Sequence, residues 1–301
     1  MKPFVHRLVP FFGLFVAALA GLGATATAET ATPVAFPNDC TSATEWSEPP
    51  ATLRRVNAAD FSPDEQKRHF SQLLGYYCSG DYMRDITKVI DRSRAYLAGR
   101  VRGAHAGEKL AIVLDIDETS LLNEPNLLGG DLRLPPSGEN DPCNDPPRGC
   151  GYTTWELMGK GEAIKPTLKL FHEAVAHGVS VFFITGRFED NSAAAAPAMR
   201  NSTAMGLHNA GYDGYTCLFL QPHNGKSTWD CKGPKQPAGF GKGYSSTGLY
   251  KFAVRQAIAD AGYAIVVNVG DQLSDLAASG DVKDIDSGPA EASFLLPNPF
   301  Y

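Results

Sequence analysis

Four short apolar runs, separated by helical patterns, constrain the fold of this chain most strongly. The runs are "LAIVLD" from Leu110, "VSVFFIT" at 179–185, "CLFL" at 217–220 and "AIVVNVG" at 264–270. Helical patterns at 167–177 and 249–261 each end before a glycine. Strands that are apolar throughout and alternate with helices are typical of a parallel sheet covered on both faces. The sequence therefore predicts an α/β fold with a Rossmann-like parallel sheet.

The other segments of the 301-residue chain suggest a domain order. Residues 29–60 lack a period and are rich in Thr, Ala and Pro, so we expect an extended arm. The pattern of residues 61–104 predicts two helices, and the first begins with a capping box at 62–65. Residues from about 123 to 166 interrupt the alternation with Gly, Pro, Asn and two cysteines. We interpret them as a small cap inserted into a core that spans 105–301.

The first 28 residues are typical of a secretory signal. Lys2, His6 and Arg7 precede an apolar stretch, and Ala26-Thr27-Ala28 fits a cleavage site. The stretch has roughly 15 residues, fewer than the ~20 that span a bilayer, so we expect cleavage after Ala28 and no stable membrane anchor. The protein is predicted to be secreted or periplasmic, and the signal fits both bacterial and eukaryotic export.

Charge and cysteine content limit the kinds of binding partner and the cellular compartment that suit this chain. The chain has 27 basic and 33 acidic residues, which does not suit binding to a nucleic-acid polymer. Its six cysteines, an even number behind a signal, favour disulfides. Proximity in the sequence suggests three pairs, although other pairings stay open: Cys143–Cys150, Cys217–Cys231 and Cys40–Cys78.

Carboxylates follow two of the predicted strands directly. Asp115 and Asp117 come after the first strand, and Asp271 and Asp275 come after the last. Because parallel strands present their carboxyl ends at one edge of the sheet, we expect the four side chains to lie close together there. Buried carboxylates repel each other unless a cation lies between them, and oxygen ligands without His or Cys favour Mg²⁺.

Groups that could hold a phosphate accompany this acidic edge. Thr185 and Gly186 end the second predicted strand and offer a hydroxyl and backbone N–H groups. Lys251, placed in the first turn of the helix before the last strand, offers a point charge. Phosphoryl transfer on a small phosphorylated substrate fits these parts.

These residues also resemble a known family. The motifs Asp115-x-Asp117-x-Thr119, Thr185-Gly186-Arg187, Lys251 and Gly270-Asp271-x-x-x-Asp275 match, in order, those of the haloacid dehalogenase superfamily. More narrowly, "DIDETSLLN", "FFITGRFED" and the tail "LLPNPFY" resemble the subfamily IIIB secreted acid phosphatases, which include plant vegetative storage proteins. Bacterial class B and class C acid phosphatases are more distant relatives.

The resemblance implies a Mg²⁺-dependent phosphomonoester hydrolase and a role for each motif residue. Asp115 would be the nucleophile, and Asp117 would protonate the leaving oxygen, helped by neighbouring carboxylates that raise its pKa. Thr185, Gly186 and Lys251 would hold the phosphoryl group. Asp115, the Asp117 carbonyl, Asp271 and Asp275 would hold the metal. The alternatives are a phosphotransferase and a weakly active storage or binding protein.

Several residues admit more than one interpretation. Tyr152 and Trp155 either pack the cap onto the core or form a stacking wall for an aromatic leaving group such as a nucleoside. Arg187 is either structural or paired with a cap carboxylate. Arg255, four residues after Lys251, is interpreted as part of a solvated helix face. The C-x5-R spacing that starts at Cys78 is taken as accidental, because no strand precedes it. The oligomeric state is not predicted.

Overall fold

The structure is a computed structural model and describes residues 63–123, 126–127, 151–189, 198–277 and 292–300. The predicted signal, the arm and much of the cap lie outside these ranges. In chain order, the elements are α1 (Pro63–Cys78), α2 (Asp81–Arg102), β1 (Lys109–Leu114), β2 (Leu121–Leu122), α3 (Tyr152–Met158), β3 (Glu162–Ala163), α4 (Lys165–Ala176), β4 (Ser180–Phe188), α5 (Met199–Asn209), β5 (Cys217–Gln221), a 3₁₀ turn (Phe240–Lys242), α6 (Thr247–Asp260), β6 (Tyr263–Gly270), α7 (Leu273–Leu276) and β7 (Ser293–Leu295).

Five parallel strands form the central sheet, in the order β5-β4-β1-β6-β7. The four predicted strands are present, and β1 lies in the middle with β4 and β6 on either side. The short edge strand β7 and the antiparallel pair β2–β3, which lies between β1 and α4 in the chain, were not predicted, and neither were the helices α3, α5 and α7. The predicted α/β fold class is confirmed.

Alternation along β1 divides the buried residues into two layers. Ile112 and Leu114 belong to the larger cluster, which includes residues of α1, α2 and α4. Ala111 and Val113 face the smaller cluster, which includes residues of α6. Successive side chains of a strand point to opposite faces, so a strand buried on both faces has no polar position. This explains why β1 is apolar from Leu110 to Leu114, after the exposed Lys109 at its start.

Helix α6 begins two residues earlier than predicted. Ser246 is its N-cap, and the Ser246 hydroxyl accepts a hydrogen bond from the Leu249 N–H at 3.2 Å. A helix that starts at Thr247 places Lys251 in the second turn, so the predicted first-turn position was wrong. The capping hydroxyl was the missed signal, since serine satisfies an unpaired N–H at a helix start.

Strand β4 extends beyond the Thr185-Gly186 pair, which was predicted to end it. The strand continues to Phe188, and its pairing with β5 shifts between Ile184 and Phe188. The Thr185-Gly186 pair therefore lies within an irregular stretch of strand, and the prediction that it ends the strand was wrong.

The disulfide Cys217–Cys231 is present, with a Cα–Cα distance of 5.5 Å, as predicted. Cys78 is also disulfide-bonded and is the last residue of α1, which rules out a free thiol in the C-x5-R segment. The predicted partner Cys40 and the pair Cys143–Cys150 lie outside the described residues. None of the described helices combines the length and apolar character needed to cross a membrane.

Candidate active site

The loop after β1 turns back sharply and is held by its own hydrogen bonds. The Ser120 N–H donates to the Ile116 carbonyl at 2.8 Å, and the Ser120 hydroxyl donates to the Asp115 carbonyl at 2.6 Å. Glu118 adopts a φ of 51°, which is uncommon outside glycine, and its buried carboxylate accepts a hydrogen bond from the Asn123 N–H at 3.0 Å. The loop thus holds its carboxylates at the carboxyl edge of the sheet.

Three buried aspartates meet at this edge. Asp115, Asp271 and Asp275 each offer a carboxylate oxygen, and these oxygens all lie within 4.8 Å of one another. Burial, followed by the charge of Asp275, raises the pKa of Asp115 well above its ordinary value and that of Asp271 to about 6. A Cβ at Gly270 would lie 2.2 Å from the Asp275 Cβ, so glycine is required there.

Lys251 reaches this cluster from α6. Its Nζ donates to Asp115 Oδ1 at 2.7 Å and also to Asp275 Oδ1. Burial alone would lower the pKa of Lys251, but Asp115 and Asp275 raise it above its ordinary value, so the ammonium is charged. Among the described residues, Lys251 is the one cationic side chain that forms salt bridges within this cluster, with Asp115 and Asp275.

The cluster fits a divalent metal ion. When all three carboxyl groups are ionised, they leave two negative charges against the one ammonium in a buried site, and a divalent cation balances them. All three ligand groups are carboxylates, with neither imidazole nor thiolate in the set, which suits a hard ion such as Mg²⁺.

Asp117 turns away from the other aspartates, towards Arg187. Arg187 Nε donates to Asp117 Oδ2 at 2.9 Å and Nη2 donates to Oδ1 at 2.6 Å, while Asn123 Nδ2 donates to Oδ1 at 2.9 Å. Burial alone would raise the pKa of Asp117, but the guanidinium holds it below its ordinary value. The expectation of a raised pKa was therefore wrong, because the charge and hydrogen bonds of Arg187 outweigh the effect of burial.

Arg187 links the acidic loop to the cap segment. It is buried, its Nη1 donates to Thr203 Oγ1 at 3.2 Å, and its Nε lies 3.6 Å from Glu156 Oε1 in α3. Both interpretations from the sequence therefore hold: Arg187 is a buried structural residue and it faces a carboxylate of the predicted cap.

Thr185 and Gly186 lie beside Asp115 across the sheet. The register pairs Leu114 with Phe183, which brings Asp115 and Thr185 to the same edge. The Thr185 side chain is fully buried and its hydroxyl accepts a hydrogen bond from the Arg187 N–H at 3.2 Å. A Cβ at Gly186 would lie 3.3 Å from Cγ2 of Thr247, at the start of α6.

The aromatic residues of α3 pack against the same region. Trp155 is 9% exposed, and its Nε1 donates to Asn123 Oδ1 at 2.9 Å, while Asn123 in turn holds Asp117. Tyr152, the first residue of α3, lies close enough to Asp117 that the carboxylate contributes, after burial, to its raised pKa. These contacts favour the packing interpretation for Trp155.

Arg255 does not lie on a solvated face. It is buried, and its guanidinium donates to the backbone carbonyls of Asp275 and Ala277, both at 2.6 Å. The i, i+4 spacing from Lys251 misled the prediction, because both residues lie on the face of α6 turned towards the core. Arg255 thus holds the short α7 segment that carries Asp275.

The hydrogen-bond donors around Asp271 include Asn298, for which the sequence predicted no role. Thr119 Oγ1 donates to Asp271 Oδ1 at 2.9 Å, while Gln272 Nε2 and Asn298 Nδ2 donate to Oδ2 at 3.1 and 2.7 Å. Asn298 belongs to the tail "LLPNPFY" and Asn123 to "DIDETSLLN". Both segments carried the resemblance, yet neither asparagine has a chemical signal of its own.

A family comparison agrees with this geometry. Residues 41–301 match the family described as HAD superfamily, subfamily IIIB (acid phosphatase). The chain belongs to this acid phosphatase family. The resemblance inferred from the motifs is thereby confirmed, as is the predicted enzyme class, phosphoric monoester hydrolase.

Individual acid phosphatases and related proteins are similar over most of the chain. "Acid phosphatase 1" of Solanum lycopersicum is 27% identical over 226 residues, which cover 75% of this chain and 71% of that protein. "Stem 28 kDa glycoprotein" of Glycine max is 27% identical over 227 residues, with the same coverage. The solved class C acid phosphatase from Bacillus anthracis shares the fold, with a TM-score of 0.53 and 19% identity over 79% of this chain and 85% of that chain.

Proposed function

We propose that this acid phosphatase is Mg²⁺-dependent, hydrolyses small phosphomonoesters and forms an aspartyl-phosphate on Asp115. The observation that carries the proposal is the buried contact of Asp115 with Lys251, beside Asp271 and Asp275 at the carboxyl edge of the sheet. It joins a nucleophilic carboxylate, a fixed positive charge and a set of metal ligands in one place.

Asp115 and Asp117 divide the chemistry in this proposal. An Asp115 oxygen attacks phosphorus, the bond from phosphorus to the ester oxygen breaks, and that oxygen takes a proton from Asp117. Water then attacks the aspartyl-phosphate, Asp117 accepts the proton of the water, and phosphate leaves with Asp115 restored. Arg187 and Asn123 hold Asp117 in place during both steps. The anionic phosphoryl group would oppose the effect of Arg187 on the pKa of Asp117.

The remaining residues bind charge. Lys251, the Thr185 hydroxyl and the backbone N–H groups at Gly186 hold the phosphoryl oxygens. Asp115, Asp271, Asp275 and the Asp117 carbonyl would hold Mg²⁺. The bound ion would supply positive charge that lowers the pKa of Asp115 and offsets the charge of the phosphoryl oxygens. Tyr152 and Trp155 remain candidates for contact with an aromatic leaving group, such as the nucleoside of a nucleoside monophosphate.

Phosphate release from an aryl phosphate and from nucleoside monophosphates tests this function between pH 4 and 8. We expect activity with Mg²⁺, loss of activity with EDTA, and a fall of at least ~10³-fold in Asp115→Asn, because the amide is not a nucleophile. Asp260→Asn, an exposed aspartate at the end of α6, is the matched control and should keep the wild-type rate. Wild-type turnover by Asp115→Asn, or full activity in EDTA, would contradict the proposal.

Export is part of the proposal as well. The signal pattern of residues 1–28 supports it, and so does the glycoprotein name of a relative, since N-glycosylation belongs to the secretory route. We expect the mature protein to begin at Glu29. Sequencing the N-terminus of exported protein checks this, and an intact N-terminal segment would argue against cleavage.

A further inference from the structure

The segment that follows β7 runs directly to the acidic cluster. Strand β7 is in register with β6, with Gly270 opposite Leu295, and the Leu296 N–H donates to the Gly270 carbonyl at 2.8 Å. Asp271 is the residue after Gly270. The register therefore brings residues 296–300 alongside the loop that carries Asp271. From here on, the tail means residues 296–300, the part of "LLPNPFY" that follows β7 and is described by the structure.

Asn298 of the tail has one defined amide orientation. Its Oδ1 accepts a hydrogen bond from the Phe300 N–H at 3.0 Å, and its Nδ2 donates to Asp271 Oδ2 at 2.7 Å. A backbone N–H can only donate, so the oxygen of the amide must face Phe300 and the nitrogen must face Asp271. The amide would lose both bonds if it were reversed.

The end of the tail is fixed in the core. Phe300 is buried and packs edge-on against Tyr82 of α2, with ring centroids 5.0 Å apart. Leu296, at the other end of the tail, is also buried. Asn298 thus lies between two anchored residues, so the position of its Nδ2 is set by packing as well as by Asp271.

These bonds leave the two oxygens of Asp271 unequal. Oδ2 accepts from both Asn298 and Gln272, which uses its two lone pairs, whereas Oδ1 accepts only from Thr119 among the described residues. Oδ1 therefore keeps a lone pair that can bind a cation. Hydrogen bonds of this kind orient metal-binding carboxylates, and their loss typically weakens metal affinity 10–100-fold.

We propose that Asn298 is a positioning residue for the metal site: the tail orients Asp271 so that one of its oxygens can bind Mg²⁺. This inference rests on the metal site proposed above. The tail starts beside the carboxyl end of β6 and packs against α2. The inference gives this segment a part in metal binding.

Titration of metal-free protein with MgCl₂, followed by calorimetry, tests the inference without using turnover. Asn298→Leu keeps the branched shape and removes the donor, and we expect Mg²⁺ affinity to fall by about 10–100-fold. The unfolding temperature of the metal-free variant should stay close to that of the wild type. Asn209→Leu, an exposed asparagine at the end of α5, is the control and should bind Mg²⁺ like the wild type.

The outcomes separate this inference from the proposed function. If the wild type binds Mg²⁺ and Asn298→Leu binds it within twofold, the tail does not position the site and the inference is wrong. If the wild type binds no Mg²⁺, the metal dependence fails and the inference fails with it. Should Asn298→Leu not fold, Asn298→Ala gives the same comparison. If both variants are unfolded without metal, Asn298 is required for folding, and that result also overturns the inference.

Discussion

Asp115 and Asp117 are separated by one residue, yet their electrostatic surroundings are opposite. Asp115 faces two other carboxylates and a lysine, and its pKa is raised, first by burial and then by Asp275. Asp117 faces Arg187, which lowers its pKa against the effect of burial. Environments that shift neighbouring carboxyl groups in opposite directions are typical of sites in which the two groups have different tasks.

Arg187→Met should leave the Asp117 carboxylate buried without its bidentate partner. We expect the free energy of unfolding of the metal-free protein to fall by about 3–5 kcal/mol at pH 7. Without the guanidinium, the pKa of Asp117 rises above the ~3.9 of an unfolded aspartate, so folding then disfavours the charged form. The deficit should therefore be smaller near pH 4, where Asp117 can take a proton, than at pH 7.

Urea unfolding of four proteins measures this coupling: the wild type, Arg187→Met, Asp117→Asn and the double variant. Removing the charge of Asp117 should make the second substitution less damaging, so the double variant should lose less stability than the sum of the two single losses. Additive losses, or a deficit that does not change with pH, would mean that Arg187 acts through Thr203 and Glu156 instead.

At the scale of elements, the sequence predicts a helix or a strand correctly where one hydrophobic periodicity dominates. The four predicted strands and helices α1, α2, α4 and α6 follow from apolar runs, capping signals and glycine stops. Strand β7 could not be predicted, because three residues carry no period and its place depends on pairing with β6. The short helix α3, with seven residues, was also missed; it packs against α5, which lies far along the chain.

In the candidate site, too, residues in local motifs could be predicted from the sequence, whereas partners from other segments could not. The four motifs mark their residues because strand ends and charged side chains stand out locally. The partners Asn298 and Glu156 do not, because each becomes meaningful only when the fold brings it to an aspartate or an arginine from another segment. Asn123 reaches Asp117 only because the loop after β1 turns back. Arg255 was misinterpreted for a related reason: its spacing resembles that of an exposed helix face, and only the tertiary structure shows that α7 covers it.

At the scale of the whole molecule, the acidic cluster that is proposed to bind metal lowers the stability of the metal-free protein. Asp271 has a pKa of about 6, raised by burial and then by Asp275. A carboxyl group whose pKa is higher in the folded state destabilises the fold at any pH above the unfolded value of ~3.9, and the full effect is reached above pH 6. The metal-free protein should accordingly be more stable near pH 5 than at pH 7.

Asp271→Asn should remove part of this dependence. We expect the metal-free variant to gain on the order of 1–3 kcal/mol at pH 7, with a smaller gain near pH 5, because the amide carries no charge to bury. The same variant should lose Mg²⁺ binding. Chemical unfolding at both pH values in EDTA measures the effect, and Asp260→Asn should show no change at either pH. A variant less stable than the wild type at pH 7 would show that the hydrogen bonds of Asp271 outweigh its repulsion.

The contact between Asn298 and Asp271 also bears on the order in which the protein matures during synthesis. Asn298 follows Asp115, Lys251, Asp271 and Asp275 in the chain, and it reaches Asp271 only after β7 has paired with β6. A nascent chain that has already formed the strands around β1 therefore still lacks one of the donors that orient Asp271. If the tail positions the metal site as proposed, a chain released or cleaved before residue 298 would bind metal poorly, and it would also lack the packing of Phe300 against Tyr82.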